Sequence, residues 1–246
     1  MTLRFQSLRT LISDMDIKIL GSSSKGNCYF VSDGATKLLL DCGLPIKEIL
    51  KGIDFAPQFV TACLVTHSHG DHVKSANKLA QLYGVRVYAS KGCIDAALLK
   101  CACIVKSMEQ FSVGSWTILP FDVQHDAPEP LGFLLRSSVS GEKLLYFTDT
   151  YYLKYRFKGV THILCEANYS LDIIQGKVDS GAIPKSLGDR IIGSHMSIDH
   201  LVDMLKANNL SRLCRIYLCH LSDSNSNADE FKRRVQEATG AEVVVC

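Results

Sequence analysis

Thr66-His67-Ser68-His69-Gly70-Asp71-His72 is the stretch on which the reading of this chain turns. Four side chains able to bind a metal, His67, His69, Asp71 and His72, fall within six consecutive residues. The run before them, Val60-Thr61-Ala62-Cys63-Leu64-Val65, is apolar and short, as a buried strand is. The stretch after them, Val73 to Tyr83, predicts a helix. A strand-to-helix turn can aim several side chains at one point, which neither regular element could do at this spacing. His67 and His69 are two apart and share one side of extended backbone. Gly70 then lets the chain turn ahead of Asp71 and His72. Imidazole together with carboxylate suits zinc and its first-row relatives. A polar turn rich in histidine by accident explains less, because three of the eight histidines sit in this one turn.

The rest of the composition bounds the problem. The 246 residues are 47% hydrophobic and 21% charged, ordinary globular values with ample apolar material for a core. A net charge of +2 implies no strong pull toward nucleic acid or membrane, although a local basic surface stays open. No apolar run approaches the ~20 residues that span a bilayer. Met1 to Ser13 lacks the long apolar core of a signal peptide. Residues 1–14 read as an extension, since Met15 immediately precedes the first good strand. Ten cysteines lie at irregular positions inside apolar runs, as in Ala62-Cys63-Leu64 and Leu213-Cys214-Arg215. They read as buried, reduced thiols of a cytoplasmic protein. Cys101-Ala102-Cys103 reads as a strand edge, with a metal clip as the alternative.

Strands are predicted at Ile17–Leu20, Cys28–Val31, Lys37–Leu40, Arg86–Ala89, Trp116–Phe121, Gly132–Ser137, Lys143–Phe147, Thr161–Cys165, Arg215–Leu218 and Glu242–Val245. Asp33-Gly34 marks a hairpin turn between the second and third. Helices are predicted at Pro45–Lys51, Ile94–Lys100, Ile198–Ala207 and Ala228–Ala238. Ile174 to Ile192, with Lys177, Lys185 and Arg190, carries little predicted structure and reads as a lid or substrate loop. Strands open each half and a helix closes it. The expected fold is α/β: a four-layer αβ/βα sandwich of two mixed sheets face to face with helices outside, in a single domain.

Three later residues repeat the placement of the opening motif. His125 follows the strand ending near Val123, Asp149 follows Phe147, and His220 follows Cys219. With them the set suffices for two metals. His67, His69 and His125 would hold one ion, Asp71, His72 and His220 the other, and Asp149 would bridge them. If His220 faces the metals, Cys219 points into the core.

This ordered pattern resembles the metallo-β-lactamase superfamily over about Asp16 to Cys246. The nearer resemblance is to its YycJ/WalJ-like branch. It is carried by Gly21-Ser22-Ser23-Ser24-Lys25-Gly26-Asn27, Leu40-Asp41-Cys42-Gly43, Glu166-Ala167-Asn168, Ser194-His195-Met196-Ser197 and His220-Leu221-Ser222-Asp223-Ser224-Asn225. The resemblance implies that fold, two divalent ions, and hydrolysis of DNA phosphodiesters. It also implies that Asp41 accepts a hydrogen bond from a ligand histidine, with a helix-start cap as the alternative. By the same resemblance His195 lies near the metals, and Glu166 and Asn168 border the site. The chain departs from the branch in two places: Tyr169-Ser170 stands where a His-Asp pair is usual and removes a potential acid, and Ser194-His195-Met196-Ser197 replaces a Gly-His-Leu-Ser-Asn run.

The donor set fits phosphoester chemistry and admits zinc, manganese or iron. Asp71 and His195 are the candidate catalytic residues, His195 as general acid for a leaving alkoxide. Ser22, Ser23, Ser24 and Asn27 form a loop that could bind phosphate, or a tight turn only. Tyr151 to Lys158 interleaves aromatics with cations, as base-stacking surfaces do. A solvated loop anchored in the core explains it as well. His200 is expected on a helix surface and His162 within a strand. Three functions follow: a phosphodiesterase acting on DNA or RNA, a hydrolase of a small phosphodiester, thioester or lactam, and a metal-stabilised binding module without catalysis.

Overall fold

The computed structural model describes residues 15–246. The reading of residues 1–14 as an extension lies outside them. Among the described residues the strands are β1 (Asp16–Gly21), β2 (Cys28–Ser32), β3 (Lys37–Leu40), β4 (Val60–Leu64), β5 (Arg86–Ala89), β6 (Ala102–Ile104), β7 (Phe111–Val113), β8 (Trp116–Asp122), β9 (Leu131–Ser137), β10 (Lys143–Phe147), β11 (His162–Glu166), β12 (Arg215–Cys219) and β13 (Glu242–Val245). The α-helices are α1 (Ile46–Gly52), α2 (Gly70–Val73), α3 (Ala76–Tyr83), α4 (Lys91–Ala96), α5 (Leu171–Asp179), α6 (Lys185–Ser194), α7 (Ile198–Lys206) and α8 (Ala228–Thr239). None is long and apolar enough to cross a membrane.

The strands form two mixed sheets, ordered β1-β2-β3-β4-β5-β6 and β13-β12-β11-β10-β9-β8-β7. In the first, β1 to β3 pair antiparallel and β3 to β6 parallel. In the second, β7 to β10 pair antiparallel and β10 to β13 parallel. The helices lie at the parallel crossovers, although the one from β10 to β11 has none.

Alternation along each strand sorts the apolar residues into three layers. Leu38 and Leu40 of β3, Leu144 and Tyr146 of β10, and Tyr217 and Cys219 of β12 fill the space between the sheets. Their neighbours Leu39, Leu145, Ile216 and Leu218 face the helices. This is the four-layer αβ/βα sandwich, with Cys219 inside the core as the alternation requires.

Several local expectations are corrected. The helix expected at Ile94–Lys100 is α4, which starts at Lys91 because the Ser90 side chain caps Cys93 N at 3.1 Å. The helix expected from Val73 begins three residues earlier as α2 and restarts at α3. Ile174 to Ile192 is no loop but most of α5 and α6. Gly176, Gly188, Gly193 and Pro184 mask their helical pattern. Cys101, Cys103 and Cys214 are exposed rather than buried, while Cys28, Cys42, Cys63, Cys93, Cys165 and Cys219 are buried free thiols.

Candidate metal centre

The carboxyl ends of the parallel strands of both sheets meet at one edge of the sandwich. Asp41 leaves β3, the His67–His72 turn leaves β4, Asp149 follows β10, Glu166 ends β11 and His220 leaves β12. His125 comes from the end of the antiparallel strand β8. Asp41, Asp149 and His220 share a backbone device: φ is +56°, +45° and +53°. Left-handed backbone is uncommon outside glycine, and Asp and His tolerate it better than most residues. It turns each side chain back across the end of its strand.

The two expected triads are brought together. The ligand atoms of His67, His69 and His125 lie within 4.8 Å of one another, and so do those of Asp71, His72 and His220. Asp149 sits between, with Oδ2 2.7 Å from His72 Nε2 and 3.4 Å from His67 Nε2, and Oδ1 2.9 Å from His220 Nδ1.

For four of the five ligand histidines a partner at Nδ1 leaves Nε2 for the centre. Asp41 Oδ2 lies 2.8 Å from His72 Nδ1, leaving Nε2 for the centre. Thr66 Oγ1 lies 3.0 Å from His67 Nδ1. The Ser194 carbonyl lies 3.0 Å from His125 Nδ1, and Glu166 Oε1 lies 2.8 Å from His220 Nδ1. His67, His72, His125 and His220 thus all present Nε2. Asp41 also accepts from Thr66 N at 2.8 Å and from the Tyr146 hydroxyl, so it braces the turn and is not a helix cap.

The donor chemistry fits divalent cations. Burial, with His72 beside it, holds the His67 imidazole well below its usual range, so it is a neutral donor. Its Nε2 is a buried atom with no hydrogen-bond partner, and Asp149 Oδ1 is buried with the ring nitrogens of His220 and His195 beside it. Burial also opposes charge on His72 and His220, but Asp149 and the neighbouring carboxylates push both upward. Positive charge is what this cluster of carboxylates demands.

His195 follows α6 with Nδ1 2.6 Å from Glu166 Oε1 and 3.2 Å from Asp149 Oδ1. Burial works against its charge, but Glu166 and Asp149 prevail and its pKa is pushed up to about 10. It does not cap α7; Ser197 does, accepting from His200 N at 3.1 Å. Asn168 holds the His220 carbonyl at 2.9 Å, and His200 and His162 lie where expected, exposed on α7 and buried in β11.

The serine loop divides. Ser23 and Ser24 line the cleft of about 480 Å³ above the centre. Asn27 is fully buried: Oδ1 accepts from Ser23 N and Tyr29 Oη, and Nδ2 reaches Ser23 O at 3.0 Å and Asp71 Oδ2 at 3.4 Å. Ser22 Oγ accepts from His220 N at 2.9 Å. The expectation that Asn27 and Ser22 face a substrate is therefore corrected: both brace ligand residues. The aromatic run is anchored, with Leu153 and Phe157 in the core and Lys154 paired to Asp122. Tyr169 and Ser170 are buried and absent from the cleft lining, and Ser170 N donates to the carbonyl of the lining residue Asn225 at 2.8 Å.

One residue of structural weight had no role assigned from spacing. Gly70 has open space around it and no positive φ, so no turn requires it. The required glycine is Gly43: a Cβ there would lie 1.6 Å from the Asp71 carbonyl oxygen. Asn27 N donates to that oxygen at 2.7 Å and Cys42 N to the His72 carbonyl at 2.8 Å. The β3–α1 turn and the α2 turn are thus pressed backbone to backbone.

A sandwich of this topology, with a histidine–aspartate centre at its strand ends, defines a class of metallohydrolase. Residues 23–92 match the signature of the metallo-beta-lactamase superfamily. The exodeoxyribonuclease WalJ of Streptococcus pneumoniae serotype 2 is 30% identical over 229 residues, 85% of this chain and 82% of the relative. The exodeoxyribonuclease YycJ of Bacillus anthracis is 30% identical over 235 residues, 89% and 86% of the two chains. In fold, the metallo-beta-lactamase fold protein YhfI of Bacillus subtilis superposes with a TM-score of 0.71 at 15% identity, over 94% of this chain and 96% of that one. The chain belongs to the metallo-β-lactamase superfamily of hydrolases, in the branch of WalJ and YycJ.

Proposed function

We propose that the chain is a binuclear metal-dependent phosphodiesterase that cleaves DNA in the cytoplasm. The observation that carries this reading is the pair of ligand triads on either side of Asp149. Relatives named exodeoxyribonuclease support the substrate, and ten free thiols fit a reducing compartment. His67, His69 and His125 would hold one ion and Asp71, His72 and His220 the other, with Asp149 shared. Zinc or manganese there, or iron, supplies charge to the phosphate oxygens and acidifies water at neutral pH.

The remaining roles fall to the protein. Asp71 is the partly exposed acid; Asn27 reaches its Oδ2, leaving Oδ1 to orient the attacking water. Glu166 fixes His195 through Nδ1, so Nε2 carries the proton that the leaving alkoxide needs. Ser23 and Ser24 contact the substrate from the cleft wall.

The test is manganese- or zinc-dependent release of nucleotides from end-labelled DNA, with RNA alongside. Asp71→Ala and Asp149→Ala should abolish release, and the wild type should carry about two ions per chain. Full activity in both variants would sink the reading. Fewer ions and no release would leave a binding module.

A further inference from the structure

We propose that Arg190 selects the substrate class: its guanidinium grips the phosphate beside the scissile one, so the cleft takes a polynucleotide strand in preference to an isolated phosphodiester. The inference rests on the phosphodiesterase reading above. The cleft is lined by four aspartates, Asp71, Asp126, Asp149 and Asp223, and by one lysine or arginine side chain, Arg190. The four carboxylates oppose a phosphate, and outside the ions and the histidines of the centre Arg190 is the cationic side chain of this wall.

Arg190 is exposed, and its guanidinium makes no ion pair or hydrogen bond with the described residues. Three other cations are occupied. Lys177 Nζ is tied to the Ser224 carbonyl and, at 2.9 Å, to Asn225 Oδ1. Lys154 is paired with Asp122, and Arg234 with Asp199. Lys177 therefore pins the loop that forms the wall with Ser222 and Ser224, while Arg190 stays free for a ligand.

Its position is set by the helix that serves the centre. Arg190 precedes Ser194 by one turn of α6, and its carbonyl accepts from the Ser194 hydroxyl. The Ser194 carbonyl in turn holds His125 Nδ1 at 3.0 Å, and His195 is the next residue. A turn of helix advances about 5.4 Å along its axis. The free guanidinium is thus held on the element that carries His195 but displaced from the reacting group. A planar fork of donors matches a phosphate's oxygens. A substrate with one phosphate has nothing to place there; a strand with successive phosphates does.

Two measurements on the metal-loaded protein test this. The first compares Arg190→Ala and Arg190→Lys on a single-stranded oligonucleotide and on bis(4-nitrophenyl) phosphate. Arg190→Ala should raise KM for the oligonucleotide about 10- to 100-fold, with kcat and the small diester unchanged. Arg190→Lys should recover part of the loss. The second is fluorescence anisotropy with a phosphorothioate-linked oligonucleotide across a salt series. The slope of log affinity against log salt should fall by about 0.7 in Arg190→Ala, one phosphate contact on a single strand. Equal loss on both substrates, or no loss on either with an unchanged slope, would overturn the role of Arg190. A wild type inactive on both would instead overturn the phosphodiesterase reading, and this inference with it.

Discussion

Strand β3 is flanked by two buried aspartates, Asp33 before it and Asp41 after it, and each ties the two sheets together. Asp33 Oδ2 accepts from Ser115 Oγ at 2.6 Å and Ser137 Oγ at 2.7 Å, and Oδ1 from Ala35 N and Thr36 N. Asp41 accepts from Thr66 N and Oγ1, from the Tyr146 hydroxyl and from His72. Both carboxylates are fully satisfied and almost wholly buried. The difference is one partner. The partners of Asp33 all lie away from the centre, whereas one partner of Asp41 is a ring whose other nitrogen faces Asp149. A glycine stands beside each, and the two serve differently. Gly34 supplies a φ of +85° with open space around it; Gly43 supplies space against Asp71.

The largest expected effect comes from Gly43→Ala. A Cβ 1.6 Å from a backbone oxygen forces the α2 turn outward and moves Asp71 and His72 together. Misplacement by about 1 Å costs about 100-fold in rate, so kcat/KM should fall at least that far. Metal content, measured on the same sample, should fall too. Next comes Asp41→Asn. It keeps the shape of the brace but not the charge facing His72 Nδ1. Metal affinity should drop by about 10- to 100-fold. An unchanged affinity would make Asp41 no more than a second Asp33.

The same contrast shows what was legible in the residues. Each metal-capable side chain stands where an apolar strand gives out, so the triads could be read from order and spacing. The Asp33-Gly34 turn carries its own local signal. Asp41 and Glu166 came from resemblance alone, because an acid at a strand end looks the same whether it caps, orients or ligates. Gly43 and Asn27 were beyond reach in their true roles. Their partner is the Asp71 turn, 28 and 44 residues away in sequence, and no local pattern encodes a backbone contact at that distance. Helices α5 and α6 were hidden by their glycines, and only packing on the sheet restores them.

Asp33→Ala should separate stability from chemistry. It strands two hydroxyls and two amides, and should cost about 2–4 kcal/mol in urea unfolding. Activity per folded molecule should stay at the wild-type level. The effect carries a pH sign. Burial alone would raise the Asp33 pKa, but its hydrogen bonds prevail and hold it below the usual carboxylate value. Its contribution is therefore fully present above about pH 4 and lost as pH falls through the depressed folded value. Thermal midpoints taken from about pH 5 downward should fall more steeply in the wild type than in Asp33→Ala. Parallel curves would remove Asp33 from the account.

The smallest effect, and the sharpest control, is Gly34→Ala. No atom lies within 4 Å of the added Cβ, so nothing clashes and only the left-handed backbone resists. That costs about 1–2 kcal/mol, or about 2–4 °C in Tm per kcal/mol for a domain of this size. Metal content and kcat/KM should not move. Gly43 has no positive φ, so its alanine carries no such backbone penalty, and all of its cost is collision with the α2 turn. If Gly34→Ala impaired catalysis as Gly43→Ala does, the two ends of β3 would be mechanically linked through the sheet. The division between a closing end and a working end would then fail. If it lowers Tm alone, the strand transmits nothing along its length, and the metal centre depends on contacts at its own end.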